Sequence, residues 1–186
     1  MERFVDYIYE IGVMKRRRIA GFDHFMSQQV STLASHSHRA AIIGIILADL
    51  EGADIATVTL MLVMHETGEV RVGDTDMIAG HYRRPKASEH QATHDQLDQL
   101  PPRLAARLRA IYDEHEQQET IEAQVAKDAD LLEHAFSAKE FLDQGIQGAQ
   151  AWLQLDGYLR TESGKAMLQA LRERDSNAWW QGLNTM

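Results

Sequence analysis

The stretch Ser35-His36-Ser37-His38-Arg39-Ala40-Ala41-Ile42-Ile43-Gly44-Ile45-Ile46-Leu47-Ala48-Asp49-Leu50 decides the fold class. Ala40–Ala48 is apolar and broken only by Gly44. Apolar residues on nearly every face predict a central, mostly buried helix. It starts near Ser31 or Ser35 and stops at Glu51-Gly52. The run is far short of the roughly 20 residues needed to span a bilayer. Downstream, Asp54 is placed to cap a second helix, from Ile55 to about Gly68. Upstream, a helix over Glu2–Met14 is followed by the basic run Lys15-Arg16-Arg17-Arg18 and an irregular segment through Gly21.

The rest of the chain continues in the same manner. Gly73-Asp74-Thr75-Asp76 reads as a turn, and Met77–Gln99, rich in His, Arg and Gln, as partly helical and less ordered. Pro101-Pro102 opens a helix to about Glu116. Thr120 starts a long helix to about Gln144, closed by Gly145. Further helices are expected over Ala149–Leu159 and Ser163–Arg174, and Trp179 and Trp180 are expected to cap the fold or an interface. Val, Ile and Thr alternate over no long segment, so no substantial sheet is expected. The expectation is an all-α fold, one domain over residues 1–186.

Composition narrows the function. The 186 residues include no Cys, which excludes a disulfide framework, a thiol nucleophile and an iron–sulfur site. Lys and Arg number 19 against 28 Asp and Glu, a net charge of −9 that argues against general nucleic-acid binding. The opening MERFVDYIYE lacks the pattern of a secretory signal, so a cytoplasmic protein with no membrane partner is expected.

Three places carry chemistry. His65-Glu66-Thr67-Gly68-Glu69 follows the apolar run Leu60–Met64, so a His and a carboxylate emerge from a buried helix. His36 stands at the head of the most apolar helix. Asp130 lies inside the helix that follows Thr120, in Lys127-Asp128-Ala129-Asp130. Buried carboxylates are costly unless paired or bound to a metal. Two His and two carboxylates on three helices suit a hard or borderline divalent cation. A zinc-protease motif would need a second His four residues after His65, and Glu69 stands there instead. His38 lies about 200° round the helix from His36 and is not expected to share a metal with it. His81, His90 and His94 could add ligands for a dinuclear site. Met61, Met64, Met167, Trp152 and Tyr158 are expected in the core.

The ordered set of motifs resembles the HD-domain metal-dependent phosphohydrolases, most closely their 5′-deoxynucleotidase branch. The matching features are Ser35-His36-Ser37, then His65-Glu66 with Glu69, then Gly73-Asp74, then Lys127 with Asp130. Arg18-Ile19-Ala20-Gly21-Phe22, Thr120-Ile121-Glu122-Ala123 and Trp179-Trp180 extend the resemblance over nearly the whole chain. It implies one divalent metal ion (Mn, Co, Mg, Zn or Fe) held by His36, His65, Glu66 and Asp130. It implies that the metal lowers the pKa of a bound water, and that Glu69 orients or deprotonates that water. Asp74 would hold the sugar or assist proton transfer. Arg18 would contact the phosphate, with Arg17 as the fallback. The implied substrate is a (deoxy)nucleoside 5′-monophosphate, a small molecule, and the implied assembly is a homodimer. Two departures stand out: Glu66 replaces the family's Asp and Ser35 replaces its Glu. The alternative is another HD-fold enzyme, acting on a different phosphate ester or by dinuclear iron chemistry, or a catalytically degenerate nucleotide-binding module.

Overall fold

A computed structural model describes residues 1–26, 31–82, 85–181 and 183. Among the described residues every regular element is helical; Arg18 and Thr32 form an isolated antiparallel bridge. The helices are α1 (Glu2–Ile11), α2 (Leu33–Glu51), α3 (Ile55–Met64), α4 (Glu69–Val72), α5 (Met77–Tyr82), α6 (Pro85–Leu97), α7 (Pro102–Gln117), α8 (Ile121–Asp143), α9 (Glu162–Glu173) and α10 (Ala178–Gln181). Three 3₁₀ segments, Gly12–Lys15, Ala20–His24 and Gln147–Leu153, link them.

The core is the α2–α3–α8 packing that the apolar run anticipates. Ala40, Ile43, Leu47 and Ala48 of α2 meet Val58, Met61 and Leu62 of α3 and Ala126, Ala129 and Leu132 of α8, all buried. Gly44 lets α2 approach α3, because a Cβ there would lie 2.3 Å from Leu62 Cδ1 and 3.0 Å from Val58 Cγ1. Caps set the ends. Thr32 Oγ1 accepts from the Ser35 backbone N–H while Ser35 Oγ accepts from that of Thr32. Ser35 thus fills the position where such a reciprocal cap ordinarily carries Glu or Gln. Gly52, at φ 70°, ends α2 in the left-handed region. Asp54 Oδ2 accepts from Thr57 N–H and starts α3 as expected.

Several boundaries differ from the sequence reading. The first helix stops at Ile11 and tightens into 3₁₀ turns. The second ends at Met64, not Gly68, and a turn separates it from α4. The Met77–Gln99 stretch carries α5 and α6; residues 83–84 lie outside the described residues. The expected helix over Ala149–Leu159 is a 3₁₀ segment ending at Leu153. Met61 and Met64 are buried and Trp152 packs on Phe22, but Tyr158 is exposed, which corrects its core assignment. Its segment leaves the helix before Tyr158 can turn inward.

Candidate metal centre

Two adjacent carboxylates on α8 point to different tasks. Asp128 is fully buried and accepts from the backbone N–H groups of Arg160 and Thr161 and from the Thr161 hydroxyl, tying the start of α9 to α8. Asp130, about 200° further round the helix, faces the histidines. Its Oδ1 lies 3.1 Å from His36 Nε2 and 3.6 Å from His65 Nε2. Its Oδ2 accepts from Lys127 Nζ at 2.6 Å.

The two imidazoles enter from α2 and from the end of α3, with their Nε2 atoms 3.2 Å apart. Each has its other nitrogen on an acceptor. His36 Nδ1 is 2.6 Å from Glu133 Oε2, and His65 Nδ1 is 2.8 Å from the Leu62 carbonyl. An Nδ1–H donated to these acceptors leaves both Nε2 lone pairs aimed at one point, the tautomer that a metal ligand needs. Glu66 Oε1 completes the group, 3.2 Å from His65 Nε2 and 3.8 Å from His36 Nε2. All four ligand atoms lie within 4.8 Å of one another.

This arrangement fits a cation. Ligands about 2.0–2.1 Å from one metal sit about 3.0–3.4 Å apart in octahedral or tetrahedral geometry, close to the spacings found. Without a cation, protons take its place. Burial disfavours a charged His36, but hydrogen bonds to Asp130 and Glu133 outweigh it and raise the imidazole to about 9. For His65, burial is outweighed by the charge of Glu66 and by Asp130, giving about 10. Burial likewise opposes ionisation of Glu66 and Asp130. The His65 charge nonetheless holds Glu66 well below the usual carboxylate range, and Lys127 with both histidines does the same for Asp130.

Glu69 and Asp74 border the group. Glu69 begins α4 after the Thr67-Gly68 turn, which carries it back toward the cluster. Gly68 makes the approach possible: a Cβ would lie 2.6 Å from the Glu89 carbonyl oxygen and 2.4 Å from Thr93 Oγ1 of α6. Burial and the neighbouring Glu66 charge push the Glu69 carboxyl up to about 12, so it holds a proton beside Glu66. Its Oε2 is buried with no hydrogen-bond partner among the described residues. That orphaned oxygen beside four converging ligand atoms suits a water held by a cation. Asp74, raised to about 6 mainly by burial, accepts from the Ala20 N–H and so anchors the loop that follows Arg18.

Arg17 and Arg18 of the basic run each have a partner outside the cluster. Arg18 pairs with Asp23 and is half exposed, and Arg17 donates Nε and Nη2 to the Val70 carbonyl at 3.2 and 2.9 Å. His38 is exposed and stands outside the cluster, as its angle from His36 predicts. His90 and His94 contact Asp113 rather than the cluster, so no dinuclear centre with His36 and His65 is assembled among the described residues. His81 packs on Tyr82.

Sequence reasoning missed the supporting shell. Glu133, one helical turn after Asp130, orients His36 and is itself held by Arg39, whose Nε and Nη2 reach Glu133 Oε1 at 3.0 and 2.8 Å. His134 stacks on His36 with ring centroids 4.5 Å apart; burial and the His36 charge lower it to about 4. His115 is buried edge-on to His65. The i, i+3 spacing from Asp130 to Glu133 was the one available signal.

Comparison with known proteins identifies the family. A family model described as HD domain matches residues 15–170. The chain belongs to the HD-domain family. The resemblance to HD-domain metal-dependent phosphohydrolases drawn from the sequence is thereby borne out. A curated human relative named 5′-deoxynucleotidase HDDC2 is 27% identical over 143 residues, 75% of this chain and 68% of its own. The crystal structure of a Pyrococcus horikoshii protein superposes with a TM-score of 0.76 at 19% identity, covering 90% of this chain and 97% of that one. A structure from Magnetospirillum magnetotacticum, described as a predicted metal-dependent phosphohydrolase, superposes with a TM-score of 0.67 at 24% identity, covering 92% and 90%. The HD domain here reads His65-Glu66 where the name implies His-Asp. The longer Glu66 side chain still reaches the cluster.

Proposed function

We propose that this HD-domain protein is a metal-dependent phosphohydrolase that releases phosphate from deoxynucleoside 5′-monophosphates. The observation that carries the reading is the convergence of His36 Nε2, His65 Nε2, Glu66 Oε1 and Asp130 Oδ1 within 4.8 Å beside the orphaned Oε2 of Glu69. The name of the human relative supports the substrate class. His36, His65, Glu66 and Asp130 hold one divalent ion. Bound there, the ion supplies Lewis acidity toward a phosphoryl oxygen and lowers the pKa of water.

This chain's own residues do the rest. Glu133 and the Leu62 carbonyl fix the imidazole tautomers. Lys127 neutralises the far oxygen of Asp130. Glu69, whose unpartnered Oε2 borders the cluster, orients the attacking water. Asp74, raised to about 6, gives a proton near neutrality to the sugar oxygen that leaves. Arg18, two residues before the Ala20–Asp74 hydrogen bond, binds the phosphate by exchanging its Asp23 partner for the phosphate oxygens.

The proposal includes one HD domain across the chain, a cytoplasmic location and a homodimer. Exposed Val5, Ile8 and Tyr9 on α1 and Ile42 and Ile46 on α2 supply apolar surface for a dimer. No described helix is long and apolar enough to cross a membrane.

The test is phosphate release from a panel of ribo- and deoxynucleoside 5′-monophosphates, with 3′-monophosphates and a sugar phosphate as controls. Preference for deoxynucleoside 5′-monophosphates is expected. Hydrolysis confined to non-nucleotide esters would overturn the substrate assignment.

A further inference from the structure

A second group of nitrogen and oxygen ligands lies apart from the centre described above and has no part in the proposed reaction. α6 carries His90 and His94 at i and i+4, the spacing that puts two side chains on one helical face. Their rings stack with centroids 4.2 Å apart and planes inclined by 25°. Both Nε2 atoms aim at a single atom of the neighbouring helix: Asp113 Oδ1 on α7 is 3.0 Å from His90 Nε2 and 2.8 Å from His94 Nε2. The three ligand atoms lie within 4.8 Å of one another and share no residue with the His36 cluster.

We propose that His90, His94 and Asp113 form a second metal site, for a borderline divalent cation such as Zn²⁺, that pins α6 to α7. Two imidazoles and one carboxylate are the donor set that such ions take. The ligand edges found, 2.8 and 3.0 Å, are within half an ångström of the edge of about 3.3 Å for tetrahedral zinc. Opening to that edge needs only small rotations, because the site is partly exposed: the His90, His94 and Asp113 side chains are 46%, 23% and 35% accessible. The same exposure leaves room for solvent in the remaining coordination position.

The fold gives this clamp a target. α6 packs against the turn that delivers Glu69: Glu89 and Thr93 crowd Gly68, and Gln96 Nε2 donates to the Thr67 carbonyl at 2.9 Å. On the other side Arg109 of α7 donates to the His94 carbonyl at 3.3 Å. A cation joining His90 and His94 to Asp113 therefore braces the wall behind the Thr67-Gly68 turn.

The experiment uses the 186-residue chain, stripped of metal, equilibrated with Zn²⁺ alone and passed through gel filtration before zinc is quantified. Wild type is expected to retain two zinc ions per chain, and the His90→Ala/His94→Ala variant one. Asp113→Asn, which keeps the size of the side chain, gives an independent reading and is also expected to retain one. At zinc about 100-fold above its dissociation constant, the second site raises the wild-type Tm by about 5–10 °C. Both variants lose that part of the rise. Equal zinc counts in wild type and both variants would overturn the proposal. So would a second zinc that gel filtration removes from wild type, which marks an adventitious ion only.

Discussion

Replacing Glu66 by Asp restores the residue that the family ordinarily carries, yet the structure predicts a loss. Glu66 Oε1 is 3.2 Å from His65 Nε2 and 3.8 Å from His36 Nε2. Removing one methylene withdraws the carboxylate by about 1.5 Å. The nearer contact then opens to about 4.7 Å, past the edge of about 3.0–3.4 Å that two ligands of one metal can span. Three ligands remain, so binding weakens rather than vanishes. We expect Glu66→Asp to lower affinity for Mn²⁺ or Co²⁺ about 10–100-fold, or roughly 1.4–2.8 kcal/mol. The assay is calorimetric titration of the metal-stripped chain, with Glu66→Gln alongside to separate reach from charge and circular dichroism to check the fold. If Glu66→Asp binds metal as tightly as wild type, the end of α3 follows the shorter side chain and the argument from reach is wrong.

Three further outcomes are expected. Glu133→Gln removes the charge that orients His36 and balances Arg39, and should weaken metal binding about 10–100-fold with the fold intact; unchanged affinity would remove Glu133 from the centre. Gly68→Ala forces a Cβ to 2.6 Å from the Glu89 carbonyl oxygen, a backbone atom that cannot turn aside. A destabilisation of about 1–3 kcal/mol is expected by denaturant titration, together with lower activity, and a stable, fully active variant would show that α6 can move. The third concerns pH. His36 and His65 are raised to about 9 and 10 in the metal-free chain, so their contribution to stability is full below about 6.5 and is lost as pH rises through 9–10. Thermal melts of the metal-free chain across pH 6–10 should show this decline, and metal-loaded chain should not, because the cation has displaced both protons.

Much of the fold is legible because it rests on local rules. The all-round apolar α2, the left-handed Gly52 and the Asp54 cap each have a physical signature that the structure repeats. The candidate ligand cluster is legible as a set, since a His and a carboxylate at the end of a buried helix demand a partner. What was hidden depends on tertiary contacts. The i, i+3 spacing from Asp130 does not by itself separate Glu133 from a solvated helical Glu; the contacts with Arg39 and His36 do. Asp128 and Asp130 read alike, although one holds α9 and the other faces the histidines. The helix predicted through Gly68 breaks at Met64 because α6 packs on the turn, and periodicity does not contain that contact. Arg18 is indicated by resemblance alone, and its ion pair with Asp23 has no counterpart in a motif.

The central claim is that one cation at His36, His65, Glu66 and Asp130 is required for phosphate release from a deoxynucleoside 5′-monophosphate. The most direct measurement follows that release as metal is removed from the chain and then restored, in wild type and in Asp130→Ala. The account predicts that the stripped wild type is inactive and recovers on resupply of Mn²⁺ or Co²⁺, and that Asp130→Ala, folded by circular dichroism, recovers at least about 1,000-fold less, roughly 4 kcal/mol. Full activity in the stripped chain, or equal recovery in Asp130→Ala, would contradict it.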